Sequence, residues 1–292
     1  MILAGDVGGT KCNLALAEKR DGWLRIVLRQ RYASAQYSRF DEIIAAFLAE
    51  ARHTIEAAPA RRILAAGFGV AGPVIGDRAA LTNLTWAVDA PALRRQLGTE
   101  RVVLLNDLEA TGYSLPWLAS EELFTLNAGS PAPQGTQALI AAGTGLGEAI
   151  LRWNNGGYRV AAGEGGHCDL APRTEKEIEL LRYMKKTHKR VSFELVLSGR
   201  GFFTVHQFLD PAVRHPSFDQ QGADPAPEIT RLGLEGSCPV CVETLDLWTN
   251  IYGAEAGNLA LKVLALGGVY VAGGIAVRPY GGHNHEFGAP IA

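Results

Sequence analysis

The sequence lacks the features that mark several broad classes of protein. Only four of its 292 residues are cysteines, which is too few for the disulfide framework of a secreted domain. It has no apolar run long enough to cross a membrane, and no basic leader with an apolar core follows Met1. It also has no long basic block, since 28 basic and 30 acidic residues give a formal net charge of −2. We therefore expect a cytoplasmic globular protein whose main partner is neither a nucleic acid nor a membrane surface.

Two common nucleotide-binding motifs are missing as well, because the chain has neither the P-loop pattern nor the GxGxxG fingerprint in its usual context. It has instead three glycine-rich turns, each after an apolar run, at Gly8-Gly9-Thr10, Gly143-Thr144-Gly145 and Gly273-Gly274. Backbone N–H groups in such turns can converge on a phosphate, and glycine lets a ligand approach closely. The alternative to phosphate binding is an ordinary hairpin turn at the first of them and close strand–helix packing at the other two. Three such turns together favour a nucleotide bound between two domains.

The first seventeen residues predict a β-hairpin around the first of these turns. An apolar run leads to Asp6, the Gly-Gly turn follows, and Leu14 and Leu16 then alternate along a second strand. A carboxylate just before a phosphate-binding turn could help to hold a divalent cation near phosphate oxygens. The alternative is a plain hairpin with a solvated Asp6.

The rest of the chain alternates strands with helices, which predicts an α/β fold. Apolar spacing predicts a helix over 40–58, and Asp89 is a plausible N-cap for a helix that ends at Leu97. A buried strand ends at Asn106-Asp107, and a second unit of strand, glycine turn and strand begins at Ala138. Helical periodicity then covers 175–189, 194–209 and 239–264. We predict a small domain over 1–107, a large domain over 108–275 and an atypical short tail over 276–292.

Asn106-Asp107 and the segment Gly163–His167 are the candidates for chemistry. Asp107 either caps the following helix or acts as a general base at the cleft between the domains. Glu164 and His167 form either half of a metal site, which would need further ligands, or a loop that binds the hydroxyls of a polyol. Glu194 could add another carboxylate, although a helix-surface position is the ordinary interpretation.

Cys238 and Cys241 have the CxxC spacing. A zinc site would need a second pair of ligands, and the other two cysteines are far away in the sequence and lie inside other motifs. A redox role would require a βαβ context that is lacking here. We therefore interpret this pair as a chance occurrence at a helix N-terminus.

Four segments occur in this order along the chain: LTNLTW, LLNDLEA, GEGGHCDLAP and FELVLSG. Because of these segments, residues 2–275 resemble the bacterial glucokinases of the group-A type. These enzymes belong to the sugar-kinase/Hsp70/actin superfamily. The resemblance implies a two-domain actin-like ATPase (ribonuclease-H-like) fold, with a cleft between a small and a large domain. It further implies ATP-dependent phosphorylation of the 6-hydroxyl of glucose as the first step of glycolysis, with ATP, Mg²⁺ and glucose bound. Homodimers are common in the family.

The resemblance also implies a role for individual residues. Asp107 would be the general base, and Asp6 would act on Mg²⁺ through water. The glucose pocket would consist of Asn83, Asn106, Asp107, Glu164, His167 and Glu194. The ATP phosphates would be held by Gly8, Gly9, Thr10, Gly143, Thr144 and Gly145, and the Gly273-Gly274 turn would complete the nucleotide site.

One departure from the family pattern keeps other functions open. The family continues after Ile275 into a long C-terminal helix, whereas only seventeen residues follow here, so we expect that helix to be missing. A truncated homologue that binds sugar but is catalytically impaired is therefore one alternative, and a kinase for another hexose or an N-acetylated amino sugar is another. A sugar-responsive regulator is disfavoured, because a strand that begins at Ile2 leaves no room for a preceding DNA-binding helix-turn-helix.

Overall fold

The computed structural model describes residues 1–20, 23–56, 62–81, 86–220 and 224–275. Within these ranges the chain has twelve strands and eight α-helices, which confirms the predicted α/β class. The strands are β1 Ile2–Val7, β2 Lys11–Arg20, β3 Trp23–Ala33, β4 Ala65–Val70, β5 Val74–Ile75, β6 Arg78–Ala80, β7 Ala87–Asp89, β8 Val102–Asn106, β9 Gln137–Ala142, β10 Leu146–Asn154, β11 Gly157–Gly163 and β12 Gly268–Ala272. The helices are α1 Phe40–Glu56, α2 Ala90–Leu97, α3 Asp107–Ser114, α4 Glu175–Met184, α5 Phe193–Val196, α6 Gly199–Leu209, α7 Ala226–Leu234 and α8 Pro239–Val263.

The chain divides into two compact units, Met1–Ser114 and Leu115–Ala292. Helix α3, which directly follows β8, belongs to the first unit. The domain bounds proposed from the sequence, with a division near residue 108, stay a prediction. Asn83 and the tail 276–292 lie outside the described residues.

The main sheet of the first unit combines a parallel half with an antiparallel half. Its strand order, among the described residues, is β3-β2-β1-β4-β8, and β1, β4 and β8 run parallel. The pairs β1–β2 and β2–β3 are antiparallel, which confirms the hairpin predicted for the start of the chain. A separate antiparallel sheet contains β5, β6 and β7.

Aromatic packing fixes the position of β1 in the core of the first unit. The ring of Phe40 on α1 meets Phe68 on β4 edge to face, with 5.3 Å between ring centroids, and lies 6.1 Å from the ring of Trp86 in a stacked arrangement. Gly5 on β1 lies against Phe68, and a Cβ added to Gly5 would come within 2.6 Å of that ring. A larger residue at this position would push β1 away from β4.

Helix α2 begins and ends as the sequence predicts. The side chain of Asp89 accepts a hydrogen bond from the backbone N–H of Ala92 at 2.9 Å, which caps the first turn. The helix ends at Gly98, whose φ of 66° lies in the left-handed region that glycine adopts without strain.

The second unit packs helices against a smaller mixed sheet. Its strand order in the described part is β11-β10-β9-β12, and β9 and β12 run parallel. Helix α8 lies against this sheet, where the Tyr252 hydroxyl donates to the Ile140 carbonyl at 3.2 Å. The same hydroxyl accepts from the N–H of Ala142 at 3.2 Å. Trp248 on α8 stacks on Phe202 of α6, with ring centroids 4.6 Å apart.

Three helices differ from the sequence prediction. The helix predicted over 194–209 is wrong as a single element, because the chain leaves helical geometry at Leu197 and divides it into α5 and α6. The helix predicted over 175–189 ends at Met184, and the sequence analysis missed α7 entirely. In contrast, the long helix predicted over 239–264 is confirmed as α8.

None of the helices in the described ranges is both long and apolar enough to cross a membrane. All four cysteines are free thiols, and Cys12, Cys238 and Cys241 are buried while Cys168 is exposed. Cys238 is the N-cap residue of α8, so the CxxC pair does lie at a helix N-terminus.

Candidate active site

In the first unit, the predicted functional residues collect at one edge of the sheet. Asp6 on β1 is in register with Gly69 on β4, and Val70 is in register with Asn106 on β8. Because the three strands are parallel, Asp6, Asn106 and the following Asp107 all lie at their carboxyl ends. Neighbouring strands are about 4.8 Å apart, so Asp6 and Asn106 are separated by about 10 Å across the sheet. The carboxyl ends of parallel strands are where α/β proteins bind their ligands.

The turn Gly8-Gly9-Thr10 is held in shape by the buried side chain of Ser34. The Ser34 hydroxyl donates to the carbonyl of Gly8 at 2.7 Å, and the N–H of Ser34 donates to the carbonyl of Thr10 at 3.0 Å. The N–H of Gly8 donates to the carbonyl of Lys11 at 3.0 Å. Gly9 is partly exposed and Thr10 is exposed, so the turn is both ordered by the core and open to a ligand.

Asp6 suits the Mg²⁺ role that the resemblance implies. Its carboxylate is exposed and accepts one hydrogen bond, from the Asn13 side-chain amide at 3.0 Å. Protein-bound Mg²⁺ keeps several waters and takes one or two carboxylates together with substrate phosphates. A single exposed carboxylate beside the turn predicted to bind phosphate is therefore a fitting donor set.

The surroundings of Asp107 fit both of the interpretations that the sequence leaves open, and its role as a general base stays a prediction. The backbone N–H of Leu108 donates to Oδ1 of Asp107 at 2.8 Å and to Oδ1 of Asn106 at 3.0 Å, so both side chains organise the start of α3. The Asn106 amide also donates to the carbonyl of Gly72 at 3.4 Å. Asp107 itself is exposed, so its carboxylate stays accessible to a ligand.

In the second unit, the structure brings Glu164, His167 and Glu194 together. Nε2 of His167 lies 3.7 Å from Oε2 of Glu164, and Nδ1 lies 3.6 Å from Oε1 of Glu194. An imidazole between two carboxylates supplies donors and acceptors in alternation, which suits the hydroxyls of a sugar. The described side chains that converge closely enough for a metal ion do not include Glu164 or His167. This geometry favours the polyol-binding alternative over the metal half-site.

Glu194 connects this trio to the glycine-rich turn that begins at Gly143. Its Oε2 atom accepts a hydrogen bond from the N–H of Leu146 at 3.0 Å, while Oε1 faces His167. A Cβ added to Gly145 would lie 2.5 Å from the same Oε2 atom, so only glycine leaves room for the carboxylate. Glu194 on α5 therefore contacts both His167 and the backbone beside the turn, unlike an ordinary surface glutamate.

The two glycine-rich turns of the second unit, Gly143–Gly145 and Gly273-Gly274, lie side by side. Ala141 on β9 is in register with Ala272 on β12, so the turns that follow these parallel strands meet at one sheet edge. Gly273 has a φ of 90°, and a Cβ added to it would come within 2.2 Å of the Ala142 carbonyl oxygen. A hydrogen bond from α6 also holds Gly143 in place, because its carbonyl accepts from the N–H of Gly199 at 2.9 Å.

Glu148, which was not predicted from the sequence, lies against Gly165 in the loop that contains Glu164 and His167. Its side chain is buried on β10, and a Cβ added to Gly165 would come within 1.8 Å of its Oε2 atom. Burial and the nearby carboxylate of Glu255 raise the pKa of Glu148 to about 7. Its burial could have been predicted from the sequence, because Glu148 lies two residues from Leu146 and two from Ile150 and so shares their face of the strand.

The comparisons with known proteins point to one family. The Glucokinase family model matches residues 3–283. A glucokinase from Nostoc punctiforme is 38% identical over an alignment of 297 residues, gaps included. The alignment covers 95% of this chain and 85% of the relative. The crystal structure of a glucokinase from an Antarctic psychrotroph superposes with a TM-score of 0.83 at 29% identity, covering 96% of this chain and 84% of that one.

A more distant structure supports the fold alone. The ROK family glucokinase from Streptomyces griseus, in complex with glucose and AMPPNP, superposes with a TM-score of 0.59 at 21% identity. The match covers 94% of this chain and 84% of that one. Together with the psychrotroph structure, it confirms the actin-like ATPase fold expected from the sequence.

Proposed function

This chain belongs to the glucokinase family, which phosphorylates glucose with ATP, and we propose which of its residues carry out that reaction. It is an enzyme that transfers the terminal phosphate of ATP to glucose. The observation that carries the assignment of residues is the double role of Glu194. One oxygen of this carboxylate faces His167 in a group suited to sugar hydroxyls, and the other accepts from the backbone next to a glycine-rich turn.

Asp107 is the general base in this proposal. Its carboxylate accepts the proton of the 6-hydroxyl while that oxygen forms a bond to the γ-phosphorus of ATP. The bond between the γ-phosphorus and the bridging oxygen then breaks, and ADP leaves with the electron pair. The hydrogen bond from Leu108 holds the carboxylate in one orientation before the substrate arrives. Such preorganisation reduces the cost of aligning the reacting atoms.

The other hydroxyls of glucose bind to Asn106, Glu164, His167 and Glu194 in this proposal, and Asn83 lines the same sugar. Carboxylates accept hydrogen bonds from sugar hydroxyls, and the imidazole and the amide donate to sugar oxygens. Glu164 and His167 are exposed in the absence of sugar, with 90% and 57% of their side chains accessible. They are therefore free to exchange water for hydroxyl groups.

The phosphates of ATP bind to the backbone of the glycine-rich turns. These phosphate-binding residues are Gly8, Gly9, Thr10, Gly143, Thr144, Gly145, Gly273 and Gly274. Mg²⁺, held by Asp6 through water, would neutralise phosphate charge when it is bound. The Ser34 hydroxyl donates to the Gly8 carbonyl and helps to hold the first turn in one shape.

Substitution of Asp107 by Asn tests the general base, because the amide keeps the shape of the side chain but cannot take up the proton. We expect kcat to fall by about 10²- to 10⁴-fold, the usual contribution of such a base. The measurement is a coupled assay of ATP-dependent glucose 6-phosphate formation, with thermal unfolding as the check on folding.

Asp246→Asn is the matched control, since Asp246 is an exposed carboxylate on α8. Its activity should equal that of the unmodified chain. An Asp107→Asn variant that is folded and fully active would exclude Asp107 as the base.

Two further properties are proposed from the reaction and from the family. Use of ATP as the phosphate donor favours a cytoplasmic location. A homodimer is the assembly that we expect, and light scattering after size-exclusion chromatography tests it directly.

A further inference from the structure

Four metal-binding side chains converge in the second unit, among the described residues, in a cluster made of His206, His215, Cys238 and Cys241. One ligand atom from each residue lies within 4.8 Å of all the others. Nε2 of His215 is 3.3 Å from the sulfur of Cys241 and 3.7 Å from the sulfur of Cys238. We propose that this cluster binds one zinc ion with a structural role, independently of the phosphoryl transfer.

Two of the separations between ligand atoms, both from His215, are close to those of a tetrahedral zinc site. Zinc binds sulfur at about 2.3 Å and imidazole nitrogen at about 2.0–2.1 Å, so a tetrahedral arrangement separates sulfur from nitrogen by about 3.6 Å. The two distances from His215 lie on either side of this value. Only the more distant atoms of the cluster need to move inwards when the ion binds.

His206 gives an independent indication that a ligand is required. It is completely buried, and neither ring nitrogen has a hydrogen-bond partner within the described part of the chain. Buried polar groups in folded proteins almost always have a partner, so two orphaned nitrogens on one ring need an explanation. A metal bond satisfies one of them.

The donor set identifies the metal and its role. Two sulfur and two nitrogen ligands in tetrahedral geometry are typical of zinc. Four protein ligands leave no position for water, which is characteristic of a structural rather than a catalytic ion. A disulfide between Cys238 and Cys241 would leave both histidines without a function, and both cysteines are free thiols here.

The cluster joins segments that are far apart in the sequence. His206 lies on α6, His215 lies just before the 3₁₀ helix Pro216–Asp219, and the cysteines lie at the start of α8. The ring of Phe218 covers the cluster, with its centroid 5.0 Å from that of His206 and 5.1 Å from that of His215. A zinc ion here would tie α6 and the intervening loop to the first turn of α8.

The test begins with the full chain, expressed with zinc and purified under reducing conditions. We expect one zinc per chain by inductively coupled plasma mass spectrometry. Removal of the ion with a chelator should lower the midpoint of thermal unfolding, and added zinc should restore it. Replacement by Co²⁺ should give the d–d bands of a tetrahedral site and a thiolate-to-cobalt charge-transfer band.

Matched variants then assign the ligands. The ligand variants Cys241→Ser and His215→Ala should lose the zinc. The control variants Cys168→Ser and His188→Ala should retain it, because they alter an exposed cysteine and an exposed histidine outside the cluster. Since a ligand variant can fail to fold, the decisive result comes from the unmodified chain. The proposal is overturned if the reduced protein takes up no zinc and gives no tetrahedral cobalt spectrum, or if the ion survives in both ligand variants.

Discussion

The buried carboxyl group of Glu148 makes the stability of this protein depend on pH. Its pKa is about 7 in the folded chain, against an ordinary value of 4.5, because of burial and the neighbouring Glu255. Below pH 4.5 the group is protonated in both the folded and the unfolded chain. As the pH rises towards 7 only the unfolded chain releases the proton, so the free energy of unfolding falls. The loss is complete once the pH exceeds the pKa of the folded chain.

Glu148→Gln should remove this dependence, because an amide does not titrate. Between pH 5 and pH 8 the unmodified chain should lose about 2–3 kcal/mol more free energy of unfolding than the variant. Urea unfolding at the two pH values measures the difference. Glu179→Gln, which alters an exposed glutamate of α4, should follow the unmodified chain. An equal loss in all three proteins would contradict the explanation.

Sequence motifs located exposed polar residues better than buried ones. Glu164, His167 and Glu194 come together in the structure as their motifs predicted, although their roles stay predictions. Glu148 and His206 were missed because the chemistry of a buried group depends on its neighbours. The partners of His206 in its cluster lie up to 35 residues further along the chain, at Cys241, so no local motif contains them.

At the scale of elements, the N-cap of α2 makes a measurable contribution to the free energy of unfolding. The Asp89 carboxylate accepts from the N–H of Ala92 and also pairs with Arg78 at 2.8 Å. Asp89→Ala should lower the free energy of unfolding by about 1 kcal/mol, the usual loss when a capping side chain is removed. Urea unfolding measures it.

Asp89→Asn separates the cap from the charge, because Asn caps helices about as well as Asp but forms no ion pair. This variant should lose clearly less stability than Asp89→Ala. Equal losses in the two variants would show that the pair with Arg78, and not the cap, provides the stabilisation.

The division between α5 and α6 could not be predicted from helical periodicity. Apolar positions continue through the break, but tertiary contacts determine the backbone there. The N–H of Gly199 donates to the carbonyl of Gly143, outside its own helix. A Cβ added to Gly201 would lie 1.7 Å from the carbonyl oxygen of Val196, so the chain folds back more tightly than a continuous helix. The first of these contacts depends on a partner 56 residues away in the sequence, which helical periodicity cannot reveal.

At the scale of the whole molecule, the α/β class was predictable because each unit repeats a strong local pattern. Buried strands such as Val102–Asn106 and Gln137–Ala142 are short apolar runs that end in glycine or in a polar residue. Strand β11 was missed, because its small residues are mostly exposed and give little alternation. Hydrophobic pattern therefore predicted the buried elements and failed at the sheet edge.

Glucose should stabilise the chain against heat, because a ligand that binds only the folded state shifts the unfolding equilibrium towards it. At a glucose concentration of 100 Kd the gain is about 2.7 kcal/mol. Differential scanning fluorimetry with glucose, mannose and N-acetylglucosamine should rank glucose first at equal concentration. A larger shift with mannose or the amino sugar would instead favour a kinase for that sugar.

The carboxylate of Glu194 also limits how this enzyme can evolve. Selection for a different sugar cannot alter this position alone, because the same side chain supports the backbone at Leu146 and occupies the space left by Gly145. A mutation that improves the fit of a new sugar there would disturb the neighbouring turn in the same step. If the sugar contacts proposed above hold, we expect adaptive changes in sugar preference to accumulate instead at Glu164, whose side chain is the most exposed of the three.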